Sequence, residues 1–361
     1  MTTLRAALAR RLAEAPIAST DADPAARTEL LYETPAERVL MRHTLRIETS
    51  PFSILDASEA DAIRAYLEAA TAPGTRHGYR RDWRSFSAWC AGRALVALPA
   101  APTTVARYLV DLAQQGRKVS TLERRLSAIA HAHAARDLPS PARATVVRAV
   151  LRGIRRLRGS AQVGKAPLLP DDLRAMVSLL DDCLSGRRDR ALLLLGFAGA
   201  FRRSELVSLD VGDLVVRPGG LVVTLRRSKT DQEGQGTVKG IPRGRSAATC
   251  PVRAVEAWLR AAQLRSGPLF RPVDRHGHVS ARRLAPFTVV RVVKRLAAAA
   301  GLDPSQYAGH SLRAGLATAA AQAGASERAI MRQTGHHSER MVRRYIRDGR
   351  LFHENAADGL L

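Results

Sequence analysis

From about Leu55 to Leu157, apolar residues recur at three- and four-residue spacing, and that period predicts helices. Segments 60–70, 75–93, 103–115, 120–136 and 141–157 each carry one apolar stripe. Ser120 and Glu123 have the spacing of a capping box, which predicts that the fourth helix starts there. Ala72-Pro-Gly, Ala97-Leu-Pro-Ala and Leu138-Pro-Ser-Pro break the pattern between segments. Residues 159–167 are polar and glycine-containing without periodicity, and read as a linker. Residues 1–55 are rich in Ala, Thr and Pro with weak periodicity; they read as a disordered N-terminal extension.

The second half is mixed. Helices are predicted at 170–181 and 186–199, then strands at 221–226 and 237–241 around a polar turn at 228–236. Further helices are predicted at 251–264, 286–300, 312–323, 326–334 and 338–346. The fold class is therefore mainly α with a small β-sheet: a helical domain at 56–158, then a mixed α/β domain at 168–361 that includes a C-terminal tail. A length of 361 residues suits two domains. With aromatics at 4%, the cores must be built largely from Ala, Leu and Val, which favours helices.

Charge narrows the partners. Lys and Arg total 57 against 33 acids, a net charge of +24. The first 55 residues are neutral, residues 56–165 carry +11 and residues 166–361 carry +13. Two basic domains facing one polyanion is the simplest fit, and nucleic acid is the commonest polyanion. All but five basic residues are arginines, a bias that a GC-rich genome explains. The longest strongly apolar run, Ala191–Phe201, has eleven residues, short of the ~20 that span a bilayer. No secretory h-region is visible, and Cys90, Cys183 and Cys250 are odd in number and far apart. Reduced thiols in a cytoplasmic, nucleoid-associated protein are the expectation.

Four scattered pieces carry chemistry. They are Gly199-Ala-Phe-Arg202-Arg-Ser-Glu205-Leu; Ser228-Lys229-Thr in the turn; Gly309-His310-Ser-Leu-Arg313; and Gly335-His336 followed nine residues later by Tyr345. In this order and spacing they resemble the tyrosine recombinase (phage integrase) family over about residues 75–361. The resemblance implies a helical, SAM-like core-binding domain followed by a catalytic domain. It implies that Arg202 and Arg313 clamp a phosphate, that Lys229, His310 and His336 assist, that Tyr345 is the nucleophile, and that Glu205 supports Arg202. It also implies a site-specific recombinase that joins DNA through a 3′-phosphotyrosine, acts as a homotetramer on paired double-stranded sites, and needs neither metal nor ATP. A type IB-like topoisomerase or telomere resolvase shares that chemistry; a non-catalytic DNA-binding regulator shares the fold.

The residue types suit the reaction. A phosphodiester under attack gathers negative charge, and the planar, permanently charged fork of arginine matches its oxygens. Tyrosine, with a pKa of ~10, is a poor nucleophile at neutral pH without a base or a cationic field. His310 is the candidate base, Lys229 the candidate acid for the leaving 5′-oxygen with Lys239 its rival, and His336 a donor to a phosphate oxygen. Taken singly, each could be a surface arginine, a turn lysine, a capping histidine or a packing tyrosine. Arg76, Arg80, Arg81 and Arg84 on one predicted helix, with Lys118, Arg124 and Arg125 on another, are candidate phosphate contacts. His131/His133 and His276/His278 have ligand-like spacing but lack cysteine or acidic neighbours, so no metal site is expected. The tail 351–361 is expected to dock on a neighbouring protomer, with packing on its own chain the alternative.

Overall fold

The computed structural model describes residues 56–159, 164–226, 231, 236–336 and 338–349. The expectations placed on residues 1–55, on Lys229 and on the tail 351–361 therefore lie outside the described residues. The chain divides into two compact units, 1–161 and 162–361.

The first unit is helical. Its elements are α1 (Ala57–Ala69), α2 (Pro73–Ala91), α3 (Pro102–Gln114), α4 (Val119–Ala134) and α5 (Thr145–Arg158). The expected capping box at Ser120 and Glu123 is not formed. Gly116 turns the chain at φ +76°, Lys118 is already extended at the N-cap, and Ser120 falls inside the first turn of α4. A capping box occurs instead at Asp56 and Glu59, where each side chain accepts from the other's backbone N–H. The helix predicted from 141 starts later: Pro141–Arg143 is a 3-10 turn and Ala144 is extended.

Helix α2 packs along α4, and α3 along α5. Phe86, Tyr108, Leu109, Leu122, Ile129 and Val147 form the centre of the core. Into it α2 inserts a carboxylate: Asp82 is 2% exposed. Arg124 of α4 meets it with both arms of the fork, Nε to Oδ2 at 2.6 Å and Nη2 to Oδ1 at 3.0 Å.

The second unit opens with α6 (Pro170–Ser178), α7 (Leu184–Ala198) and α8 (Arg203–Ser208). An antiparallel sheet follows, ordered β1 (Leu214–Arg217), β2 (Gly220–Leu225), β3 (Thr237–Pro242), with Val223 opposite Lys239. Then come α9 (Pro251–Ala261), α10 (Pro286–Ala299), α11 (Ser311–Gln322), α12 (Glu327–Thr334) and α13 (Glu339–Gly349). Helix α8 and strand β1 are absent from the periodicity reading because six and four residues are too few to show a period.

The apolar run at 191–201 is the buried middle of the unit. Ala191–Leu195 are almost fully enclosed, with α9 and α11 against α7. Among the described residues no helix is long and apolar enough to cross a membrane. Trp258 of α9 anchors the far side, its Nε1 donating to Leu269 O at 2.8 Å. A smaller cluster of Ala317, Ala321, Ile330 and Val342 seats α13 on α11 and α12. Ahead of α6, the segment 165–168 lies on α11 and the loop before it. Leu168 N donates to Ser311 O, Ala166 N to Gln306 O and Lys165 Nζ to Ser305 O. Gly315 permits this: a Cβ there would sit 1.9 Å from Leu168 O.

Replacing Arg124 with Ala strands the Asp82 carboxylate away from its donors. The expected cost is about 1–3 kcal/mol of unfolding free energy. Arg81→Ala, with that side chain 62% exposed, should change stability by less than about 0.5 kcal/mol. Chemical denaturation of both variants checks this; equal losses would contradict the pairing.

Candidate active site

The turn after α7 delivers Arg202. Gly199 caps the helix, and Ala200 takes a left-handed conformation at φ 47° that most non-glycine residues avoid. Phe201 N returns to Gly196 O and Ala200 N to Phe197 O, the pattern of a Schellman stop. Arg202 then becomes the N-cap of α8, and Glu205 folds back beneath it. Glu205 Oε2 accepts from Arg202 N at 2.9 Å, and Oε1 accepts from Nη1 at 2.5 Å. Glu205 is 4% exposed, so this carboxylate belongs to the arginine and not to solvent.

Arg313 stands on the first turn of α11 and is wholly buried. Its Nη1 donates to Ala200 O at 2.9 Å, which ties it to the Arg202 turn. Its Nε and Nη2 have no hydrogen-bond partner among the described residues. Burial and the Arg202 charge push its pKa down to about 10, against the pull of Glu205 and Tyr345.

His310 caps α11 one turn ahead of Arg313, and its Nε2 lies 2.9 Å from Tyr345 Oη. Burial, then the charges of Arg313 and Arg202, hold its pKa below the usual histidine value. A neutral imidazole protonated on Nδ1 accepts the tyrosine O–H at Nε2.

His336 follows Gly335, whose φ of 64° ends α12 in a left-handed turn. Glycine adopts that conformation without strain. The His336 ring stacks on Tyr345 with centroids 5.9 Å apart. Its Nδ1 is 2.8 Å from Thr334 Oγ1, whose own hydroxyl donates to Ile330 O at 2.7 Å. That leaves Thr334 as acceptor and puts the neutral proton on Nδ1. Burial, then Arg313, Arg202, His310 and Lys239, push the His336 pKa down to about 4.

The structure thus brings Arg202, Glu205, His310, Arg313, His336 and Tyr345 into one cluster. Lys239 joins it from β3, 3% exposed. Sequence reasoning missed Thr334 and Gln333, which carry no motif of their own, and treated Lys239 only as a rival acid. In the first unit Arg80, Arg81, Arg84 and Lys118 are exposed and Arg76 is half-buried. Arg124 is bound to Asp82, and Arg125 donates to Tyr108 Oη at 2.6 Å. His133 is a core residue, accepting from Ala100 N at Nε2 and bonded to Ile129 O through Nδ1. His278 does have an acidic neighbour, Asp274, at 3.0 Å. Among the described residues no group of three or more His, Cys, Asp or Glu is arranged to hold a metal ion.

A helical unit followed by a mixed unit with two arginines, two histidines and a tyrosine in one cluster is the arrangement that the resemblance to tyrosine recombinases implies. Residues 167–350 match the phage integrase family, and residues 63–135 match the phage integrase N-terminal SAM-like domain. The chain is 44% identical to an integrase/recombinase xerD homolog of Selenomonas ruminantium over 294 residues, covering 80% of this chain and 86% of that one. It is 28% identical to recombinase cre of Escherichia phage P1, covering 73% and 81%. The fold is also that of the Tn1549 transposon integrase, solved with transposon right end DNA (TM-score 0.54, 16% identity, 79% and 92% covered). The chain belongs to the phage integrase family and is a tyrosine-type site-specific recombinase.

The depressed His336 pKa has a sign. The unfolded chain takes up this proton near pH ~6.5 and the folded chain only near 4. Between those values the unfolded state holds more protons, so this residue's contribution to stability is lost as pH falls. Melting temperatures from pH 7 to 4.5 should therefore drop less for His336→Gln than for wild type. Parallel curves would contradict the burial of a neutral imidazole.

Proposed function

We propose that this chain cuts and rejoins double-stranded DNA through a 3′-phosphotyrosine at Tyr345, as a homotetramer on paired recombination sites. The observation that carries this reading is Tyr345 Oη at 2.9 Å from His310 Nε2, beside a buried Arg313 whose Nε and Nη2 meet no acceptor among the described residues.

In the cleavage step Tyr345 Oη bonds to phosphorus and its proton passes to His310 Nε2. The bond from phosphorus to the 5′-oxygen breaks, and Lys229 supplies that oxygen's proton. The products are a 3′-phosphotyrosine and a free 5′-hydroxyl. A 5′-hydroxyl from the partner strand reverses the step, so the bond energy is kept and neither metal nor ATP is called for. Arg202 and Arg313 hold the non-bridging oxygens; positioned donors of this kind are each worth about 3 kcal/mol of barrier. A phosphate seated between the arginines also reverses the field on His336. It draws a proton onto Nε2, which then donates to a phosphate oxygen.

Arg80, Arg81, Arg84 and Lys118, with Arg76, supply phosphate contacts that set register on the duplex. Arg124 and Arg125 already have partners inside the unit and contribute through their exposed edges. The enzyme works on nucleoid DNA in the cytoplasm.

Tests use a nicked duplex bearing the site that the wild-type protein enriches from a randomised DNA library. Tyr345→Phe should bind it with unchanged affinity and form no covalent adduct. Adduct formation at the normal rate in that variant would overturn the assignment. Lys229→Ala should be slowed about 10²–10⁴-fold, the range for lost proton donation. Sulfur in place of the bridging 5′-oxygen leaves without protonation, so it should rescue Lys229→Ala but not Arg313→Ala. Equal defects on both substrates would remove Lys229 from the acid role.

A further inference from the structure

Lys239 occupies an inward position of β3, flanked by the exposed Val238 and Gly240; the next inward residue is the apolar Ile241. An ammonium on the core side of a strand is costly unless something there requires it. Its Nζ donates to Gly199 O at 2.8 Å and to Gln333 O at 2.6 Å, and lies 4.9 Å from the centre of the Phe201 ring. Gly199 caps α7, and Gln333 lies in the last turn of α12. Both are carboxyl ends of helices, where carbonyls concentrate partial negative charge. Two such ends brought together repel each other, and a cation between them turns repulsion into attraction.

Each of these contacts leads directly to the site. Gly199 lies three residues before Arg202, and Gln333 three residues before His336. Gln333 closes the junction from its own side, with Nε2 donating to Ala198 O at 2.7 Å and to Gly240 O at 3.2 Å. In the sequence, strand β3 follows the segment that carries Lys229.

We propose that Lys239 is a positioning residue, a buried clamp that fixes the Arg202 turn against the His336 turn and so sets the spacing of the phosphate-binding groups. It deepens the reading of Tyr345 chemistry given above and rests on it. Lys239 does not donate a proton to DNA; its hydrogens are directed at two carbonyls and an aromatic face.

The charge on Lys239 is itself balanced. Burial pushes its pKa down to about 8; Glu205 favours the ammonium, while Arg313 and Arg202 oppose it. Among the described residues, His336 also feels this charge. Above that pH the charge between the helix ends is lost and the clamp weakens.

The test measures single-turnover Tyr345 adduct formation by the full chain at saturating nicked duplex, with oxygen and with sulfur at the bridging 5′ position. Lys239→Met keeps the length and removes the charge. It should slow adduct formation about 10–100-fold, the scale of a small misplacement, with DNA affinity within about twofold. The defect should be the same on both substrates, and Lys239→Arg should recover most of the rate. In a His336→Ala background the Met substitution should cost less than about threefold, because both act through one turn. The fall in wild-type rate above pH 8 should disappear in Lys239→Met. Should that variant not fold, Gln333→Ala opens the same junction and must show the same equal slowing and non-additivity. A wild-type rate, rescue by sulfur, or fully additive losses with His336→Ala would each overturn the clamp. Failure of the wild-type protein to form an adduct, or adduct in Tyr345→Phe, would overturn the Tyr345 reading instead.

Discussion

The second unit is organised around a guanidinium that it holds away from water without giving it a full set of partners. Arg313 is completely enclosed, bonded through one nitrogen to a backbone carbonyl, and short of acceptors at two others. A buried donor left unmet costs about 1–3 kcal/mol, and more when it is charged. Around it stand Arg202, Lys239 and two histidines. Arg202, Arg313 and Lys239 lower the proton affinity of groups beside them, as His310 does for His336, while Glu205 raises it for Lys239 and Arg313. An anion seated among these groups would relieve the repulsion, which supports the phosphate-binding reading proposed above.

Such a cluster stays in place only if rigid elements supply it. Helix α7, whose last two turns from Ala191 to Ala198 are apolar, is the fixed body; its Schellman stop at a left-handed Ala200 leads into Arg202. Helix α11 lies against it and carries His310 and Arg313 on its first turn. The tyrosine is held more lightly. Helix α13 rests on α11 and α12 through a small apolar cluster, and the Tyr345 ring itself packs at its edge. The charged side chains are set in the core, and the tyrosine proposed as nucleophile sits at its margin.

Much of this was legible in the chain. The 3.6-residue period located the longer helices of both units, most of which bury an apolar face, while α8 was too short to show it. The order and spacing of Arg202, His310, Arg313, His336 and Tyr345 marked the site through the family resemblance; the first four lie at helix ends and Tyr345 lies within α13. What stayed hidden depends on contacts distant in sequence. Nothing near Lys239 reveals that its ammonium lies between Gly199 and Gln333, residues 40 and 94 positions away. Arg124 looked like a surface cation because its partner Asp82 is 42 residues distant on another helix. The capping box at Ser120 failed for a local reason of a different kind: a turn at Gly116 started the helix before the motif could act.

Gly315 gives the boundary between the units a practical meaning. A glycine inside a helix costs about 1 kcal/mol relative to alanine. Here it clears the space in which the backbone of residues 166–168 lies against α11, one turn from Arg313. The segment that looks like a polar connector in the sequence therefore acts at its far end as a brace for the catalytic helix. A fragment cut at residue 168 would discard the brace and leave a trench along α11 with unsatisfied carbonyls at Ser305 and Gln306. A fragment beginning at 162 would keep every bond of it, and with them the seat of the arginine.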